Sequence, residues 1–144
     1  MMARRTFLIA AALLVGGVTA CSDLTGNTRA DGTYYLQNVN NNGLPFSYQD
    51  INTGRTFTVQ NDTYVLASDG SYSDQQSYTD NGQQRLYTES GSWSQSGNVV
   101  TFTPFQSSTG NTSVYQATLG NGGSFGGART MTINFSGSVW YYSE

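Results

Sequence analysis

The chain has 144 residues, 37% hydrophobic, 13% aromatic and only 10% charged, with a formal net charge of −3. It holds no histidine, all six of its basic residues are arginines, and its one cysteine is Cys21. This inventory excludes a Ser-His-Asp or Cys-His nucleophile, which needs a neighbouring base, a Cys/His zinc centre and an intramolecular disulfide framework.

Met1 to Arg5 is a short basic segment, Thr6 to Val15 is an apolar run, and Gly16 to Cys21 supplies small residues. That order is the layout of a secretory signal, and its apolar run is too short for a membrane span of about 20 residues. Val18-Thr19-Ala20-Cys21 resembles the lipobox of bacterial lipoproteins. The resemblance implies cleavage before Cys21, with residues 1–20 as signal peptide, and acylation of Cys21, so that the protein is held to a membrane by acyl chains. Two or more chains anchor stably, at about 0.8 kcal/mol per buried methylene. Ser22 rather than Asp after the cysteine points to the outer membrane of the cell envelope. Arg4-Arg5-Thr6-Phe7-Leu8 also resembles a twin-arginine export signal, although a plain basic segment is the favoured reading. Removal of residues 1–20 leaves four arginines against nine acids, a formal charge of −5. Such a surface argues against nucleic acid as a partner, because phosphates must be neutralised by Lys or Arg.

Ser22 to Ala30 is polar and without period, so residues 21–30 read as the lipidated cysteine and a tether. Nine residues span at most about 30 Å. From Asp31 to Glu144 turn and strand signals alternate, and the ten tyrosines, seven phenylalanines and two tryptophans favour a packed core over disorder. Gly32 to Val39 reads as a strand, Asn40 to Gly43 as a turn, and Leu44 to Gln49 as a weak segment. Arg55 to Gln60 alternates with Phe57 and Val59 on one face, Asn61-Asp62 reads as a turn, and Thr63 to Ala67 as the next strand. Asp69-Gly70 is a hairpin signal, followed by a strand over Ser71 to Thr79 and a turn at Asp80-Asn81-Gly82. Gln84 to Gln95 reads as a strand pair or one long strand with a bulge at Gly91. Val99 to Thr103 is the clearest β-run, and Pro104 should end its ladder or place it at an edge. Gln106 to Ser113 is a loop, Val114 to Leu119 alternates, and Gly120 to Gly127 is a glycine-rich connection. Met131, Ile133 and Phe135 alternate, Ser136 to Ser138 turns, and Val139 to Tyr142 closes the series. Gly32-Thr33-Tyr34, Gly70-Ser71-Tyr72 and Gly91-Ser92-Trp93 each place a glycine, a hydroxyl residue and a ring at an expected strand start. Eight or nine strands at this spacing predict an all-β domain over residues 31–144. An antiparallel up-and-down barrel of about eight strands suits the short connections, with a β-sandwich as the alternative.

The order Gly32-x-Tyr34, Leu44-Pro45-Phe46, Leu66-x-x-Asp69-Gly70-Ser71-Tyr72, Gly91-Ser92-Trp93-Ser94 and Gly97 to Thr103 resembles the small lipocalin-like domains of bacterial lipoproteins. The resemblance implies a small barrel and carries over no catalytic residue.

An eight-stranded barrel is either filled by side chains or holds one small ligand. Tyr34, Phe57, Trp93, Phe102, Tyr115, Phe135 and Trp140 are therefore the candidates to line a cavity for a small apolar molecule or a lipid tail; alternatively they fill the core. In Tyr34-Tyr35 and Tyr141-Tyr142 one ring of each pair must face outward, which allows a Tyr-rich contact face on an envelope interaction protein with a filled core. Carboxylate pairs can hydrolyse glycosides, but turn chemistry accounts for Asp31, Asp62, Asp69 and Asp80. Only Asp74 and Glu89 fall inside expected strands. Asp69 to Asp74 lacks the spacing of a calcium loop, and no lysine follows the Gly120–Gly127 loop as a phosphate cradle would need. The expectation is a non-catalytic, membrane-anchored binding protein without metal or cofactor.

Overall fold

The computed structural model describes residues 29–120 and 127–144. Cys21 and most of the expected tether lie outside these residues, as does most of the glycine-rich connection, residues 121–126. The strands are β1 (Gly32–Val39), β2 (Asn42–Gly43), β3 (Phe46–Gln49), β4 (Thr56–Leu66) and β5 (Ser71–Asp80). They continue with β6 (Gln83–Ser96), β7 (Val99–Ser107), β8 (Tyr115–Gly120), β9 (Thr130–Phe135) and β10 (Ser138–Ser143). All pairings are antiparallel, and the ring runs β1-β10-β9-β8-β7-β6-β5-β4 before returning to β1 through Tyr34 opposite Tyr64. Eight strands thus close one up-and-down barrel, and the sandwich alternative is excluded because no second sheet exists among the described residues. Closure leaves the main strands few free edges.

Where the sequence alternates, the barrel follows. Met131 and Ile133 on β9, Ala117 and Leu119 on β8, Val100 and Phe102 on β7, and Tyr142 on β10 are buried, while their neighbours are exposed or half-buried. Asn81 and Gly82, both at positive φ, make the two-residue turn between Asp80 and Gln83, the geometry whose twist matches antiparallel strands.

Three local expectations change, and a fourth, at Pro104, holds. Asn61-Asp62 is not a turn: β4 runs unbroken for 11 residues. A bulge between Val59 and Asn61 inserts one residue and resets the alternation, so that Val59 and then Asp62, Tyr64 and Leu66 face inward. The lower half of β4 pairs with β3 and the upper half with β1. Pro104 lies within β7, at a register shift opposite Gly91, but β7 pairs with β8 only from Val99 to Phe102. The proline therefore ends that ladder and sits on a local edge, where a missing N–H costs nothing. Gly91 lies in mid-strand rather than at a strand start, directly beneath the Tyr72 ring and the backbone of Thr103 and Pro104. Finally, Ala30 is fully buried in the core, not part of a free tether. Its N–H donates to Gln95 Oε1 at 2.9 Å, and the carbonyl of Arg29 accepts from the Arg129 guanidinium.

The barrel has two unlike ends. One end holds the Ala67–Gly70 and Gly97 turns, the entry of the chain at Ala30, and a core of Leu66, Val100, Leu119 and Met131. Toward the middle, Tyr64, Tyr72, Phe102 and Tyr142 form a ring cluster with centroids 4.9–6.3 Å apart, each pair adding about 0.5–1.5 kcal/mol beyond area burial. The other end carries the Asn81-Gly82 turn, the 108–114 loop and the Ser136-Gly137 turn, and there the interior is polar.

Candidate functional site

Strand register builds the polar end. Tyr64 on β4, Asp74 on β5 and Glu89 on β6 lie directly opposite one another in one row. One step toward the mouth, Asp62, Gln76 and Tyr87 form a second row. Asp62, Asp74 and Glu89 are all buried, at 3%, 5% and 7% exposure, although like charges directly opposite on neighbouring strands repel.

Tyrosine hydroxyls hold the carboxylates. Glu89 Oε1 accepts from Tyr72 and from Tyr115, each at 2.6 Å, and Oε2 accepts from Tyr87 at 2.7 Å. Tyr115 also meets the Tyr64 hydroxyl at 3.0 Å. Asp62 Oδ2 accepts from Tyr142 at 2.8 Å and from Gln76 Nε2 at 3.2 Å. Burial, followed by the Asp62 charge and the Asp62 hydrogen bond, pushes Asp74 up to about 11. Burial also raises Asp62, against hydrogen bonds from Asp74, Tyr142 and Gln76 that lower it. The pair thus shares a proton at neutral pH, carried by Asp74 and donated to Asp62. Burial first, and then the Glu89 hydrogen bond, raise Tyr72, Tyr87 and Tyr115, which therefore remain donors. Asp62 Oδ1, Asp74 Oδ1 and Trp140 Nε1 are buried with no hydrogen-bond partner among the described residues.

A cavity of about 230 Å³ opens over these rows. Asp62, Asp74, Gln76 and Glu89 form its polar floor, Tyr48, Tyr64, Tyr87, Tyr115, Phe135 and Trp140 its walls, and Asn111 and Ser113 its rim. Tyr48, Phe135 and Trp140 also border a broader outer groove with Phe46, Ile51 and Phe57.

The seven rings proposed from sequence separate into three groups. Tyr115, Phe135 and Trp140 line the cavity. Tyr34 and Phe102 are fully buried in the filled half, Tyr34 with its hydroxyl on the Ala30 carbonyl at 3.0 Å. Trp93 packs beside that core with Nε1 on the Ala67 carbonyl at 3.0 Å, and Phe57 stacks on Tyr48 with centroids 5.5 Å apart, in the outer groove. Sequence reading missed Asp62, Tyr64, Tyr72, Tyr87, Gln76 and Tyr142. The signal for Asp62 was present: the period of Tyr64 and Leu66, run back two residues, points Asp62 inward.

Replacing Tyr115 with Phe removes one of three donors from a buried carboxylate. The expected loss is about 2 kcal/mol, read as a lower urea midpoint at unchanged slope; an unchanged midpoint would show that Glu89 is satisfied without it.

The family model described as "Lipocalin-like domain" matches residues 31–125, about two thirds of the chain. That span covers β1 to β8, and β9 and β10 complete the ring beyond it. No curated protein and no solved structure matches the chain.

Proposed function

Because this chain belongs to the lipocalin-like domain family, we propose that it is a non-catalytic binding protein of the cell envelope, anchored through acyl chains on Cys21, that holds a small molecule with an apolar body in the mouth of its barrel. The observation that carries this reading is the cavity of about 230 Å³, ring-walled and open at one end above a filled core. Ligand pockets are concave and mostly apolar, with a few placed polar groups. The filled half supports a compact ligand over a lipid tail, because Tyr142, Phe102 and Met131, all fully buried, occupy the depth a long chain would need. The carboxylates support binding over hydrolysis. Both oxygens of Glu89 are taken up by tyrosines, and burial beside the Asp62 charge keeps Asp74 protonated. The lipobox residues, with Ser22 after the cysteine, support an outer-membrane location.

Native mass spectrometry of the acylated protein from its own membranes tests both halves. The expected mass includes the acyl groups on Cys21 and a small adduct lost on denaturation. A bare mass, with no quenching of tryptophan fluorescence by an apolar probe, overturns binding. A Cys21→Ser variant that stays in the membrane fraction overturns the anchor.

A further inference from the structure

Three buried carboxylates face one cavity, and no described residue supplies a countercharge. The chain has no lysine or histidine at all. Among the described residues Arg29, Arg55 and Arg129 pair with Asp31, Asp80 and Glu144, and Arg85 bonds Gln83 on the exposed face. Buried carboxylates are expensive unless paired. Here tyrosine hydroxyls and one shared proton stand in for a cation. Ring faces surround the same space, and an aromatic wall attracts a cation through its quadrupole. A second observation points to a ligand: Trp140, 8% exposed and lining the cavity, has an indole N–H with no partner.

We propose that the cavity selects a small organic cation, a protonated amine on an apolar body, with Asp62, Asp74 and Glu89 as its countercharge and Trp140 Nε1 donating to an acceptor on the same molecule. This deepens the small-molecule reading above and rests on it. Binding replaces the proton of Asp74 with the ammonium: the O–H bond of the carboxyl breaks, the proton leaves to solvent, and the carboxylate accepts from the amine. The groups around Asp74 are Asp62 and Tyr64 from β4, Tyr72 and Gln76 from β5, Tyr87 and Glu89 from β6 and Tyr142 from β10, with Tyr115 from β8 on the cavity wall. None of them is a cation that would resist this exchange.

The test uses tyramine and its neutral isostere tyrosol, which share the ring and phenolic acceptor, in calorimetric titrations of the full chain. Tyramine is expected to bind at least about tenfold more tightly than tyrosol. About one proton should be released per tyramine bound, read from the heat in buffers of different ionisation enthalpy, with affinity rising between about pH 6 and about pH 8. Asp74→Asn keeps the shape; it should abolish the proton release and bring the tyramine affinity down to that of tyrosol in the same variant. Tyrosol binding as tightly as tyramine overturns the cation and leaves the cavity reading standing. Neither probe binding at millimolar concentration overturns this proposal, while the small-molecule reading is decided separately by the mass measurement. Tyramine binding without proton release overturns the role given to Asp74.

Discussion

Raising the pH from about 4 to about 8 is expected to lower the melting temperature of this protein, the reverse of ordinary acid denaturation. Asp74 is the cause. Its carboxyl moves from an ordinary 3.8 to about 11 in the barrel, mainly through burial and then through Asp62. Between those values the unfolded chain has released the proton and the folded chain keeps it. A raised carboxyl therefore contributes its full stability below the unfolded value and loses it progressively up to the folded one. The slope is on the order of 1 kcal/mol per pH unit, and Asp62, also raised, acts in the same direction. Half-buried Asp50 and exposed Asp69 are lowered by hydrogen bonds from Asn52 and Ser71, and their small contributions run the opposite way, lost on acidification. Asp74→Asn should flatten the slope and raise the melting temperature most at alkaline pH. Circular dichroism melts across the range decide the matter. A wild-type midpoint that rises with pH, or a variant with the wild-type slope, would remove the shared proton from the account.

Gly91→Ala is expected to cost about 3 kcal/mol or more, the upper range for overpacking. The added methyl would collide with the Thr103 carbonyl and would lie 2.8 Å from both Pro104 Cα and the Tyr72 ring. Two of these neighbours are backbone, held in register by β6 and β7, so they cannot swing aside. Gly97→Ala is the control. It sits at φ +61 with open space around its Cβ direction, so only the backbone penalty of about 1 kcal/mol applies. Urea midpoints for the two variants separate close packing from turn strain, and equal losses would refute the close-packing account. Because Tyr72 both covers Gly91 and donates to Glu89, Gly91→Ala should also disturb the cavity floor.

The strand order was legible wherever local chemistry decides it. The Asp69-Gly70 and Asn81-Gly82 turns, the alternation of Met131 and Ile133, and one long β6 with an irregularity at Gly91 all follow from neighbours in sequence. The interior polar rows were less legible for a physical reason. Asn61-Asp62 has the composition of a turn, and the bulge between Val59 and Asn61, set by pairing with β5, breaks the alternation that would link Asp62 to Phe57 and Val59. Asp74 and Glu89 fell in expected strands, but their being opposite each other is a matter of register, which no local pattern reports. The rings show the same division. Alternation says that Tyr115 and Phe102 point inward; which of them ends at the mouth depends on strand stagger around the closed ring.

The chain enters the barrel beside Ala30, at the filled end, while the mouth lies at the opposite pole. With the proposed anchor at Cys21, the seven residues from Ser22 to Thr28, ahead of the pinned Arg29 and Ala30, span at most about 25 Å. The ten residues of β5, at about 3.3 Å each and tilted in the ring, make the barrel nearly as tall as that. Tipping the mouth down onto its own bilayer would use the whole leash along the barrel's flank. On that proposed anchor the opening would look outward at rest, and a ligand would arrive from the aqueous side and not sideways out of the lipid. Such a protein would behave as a moored buoy, sampling the compartment in front of its membrane.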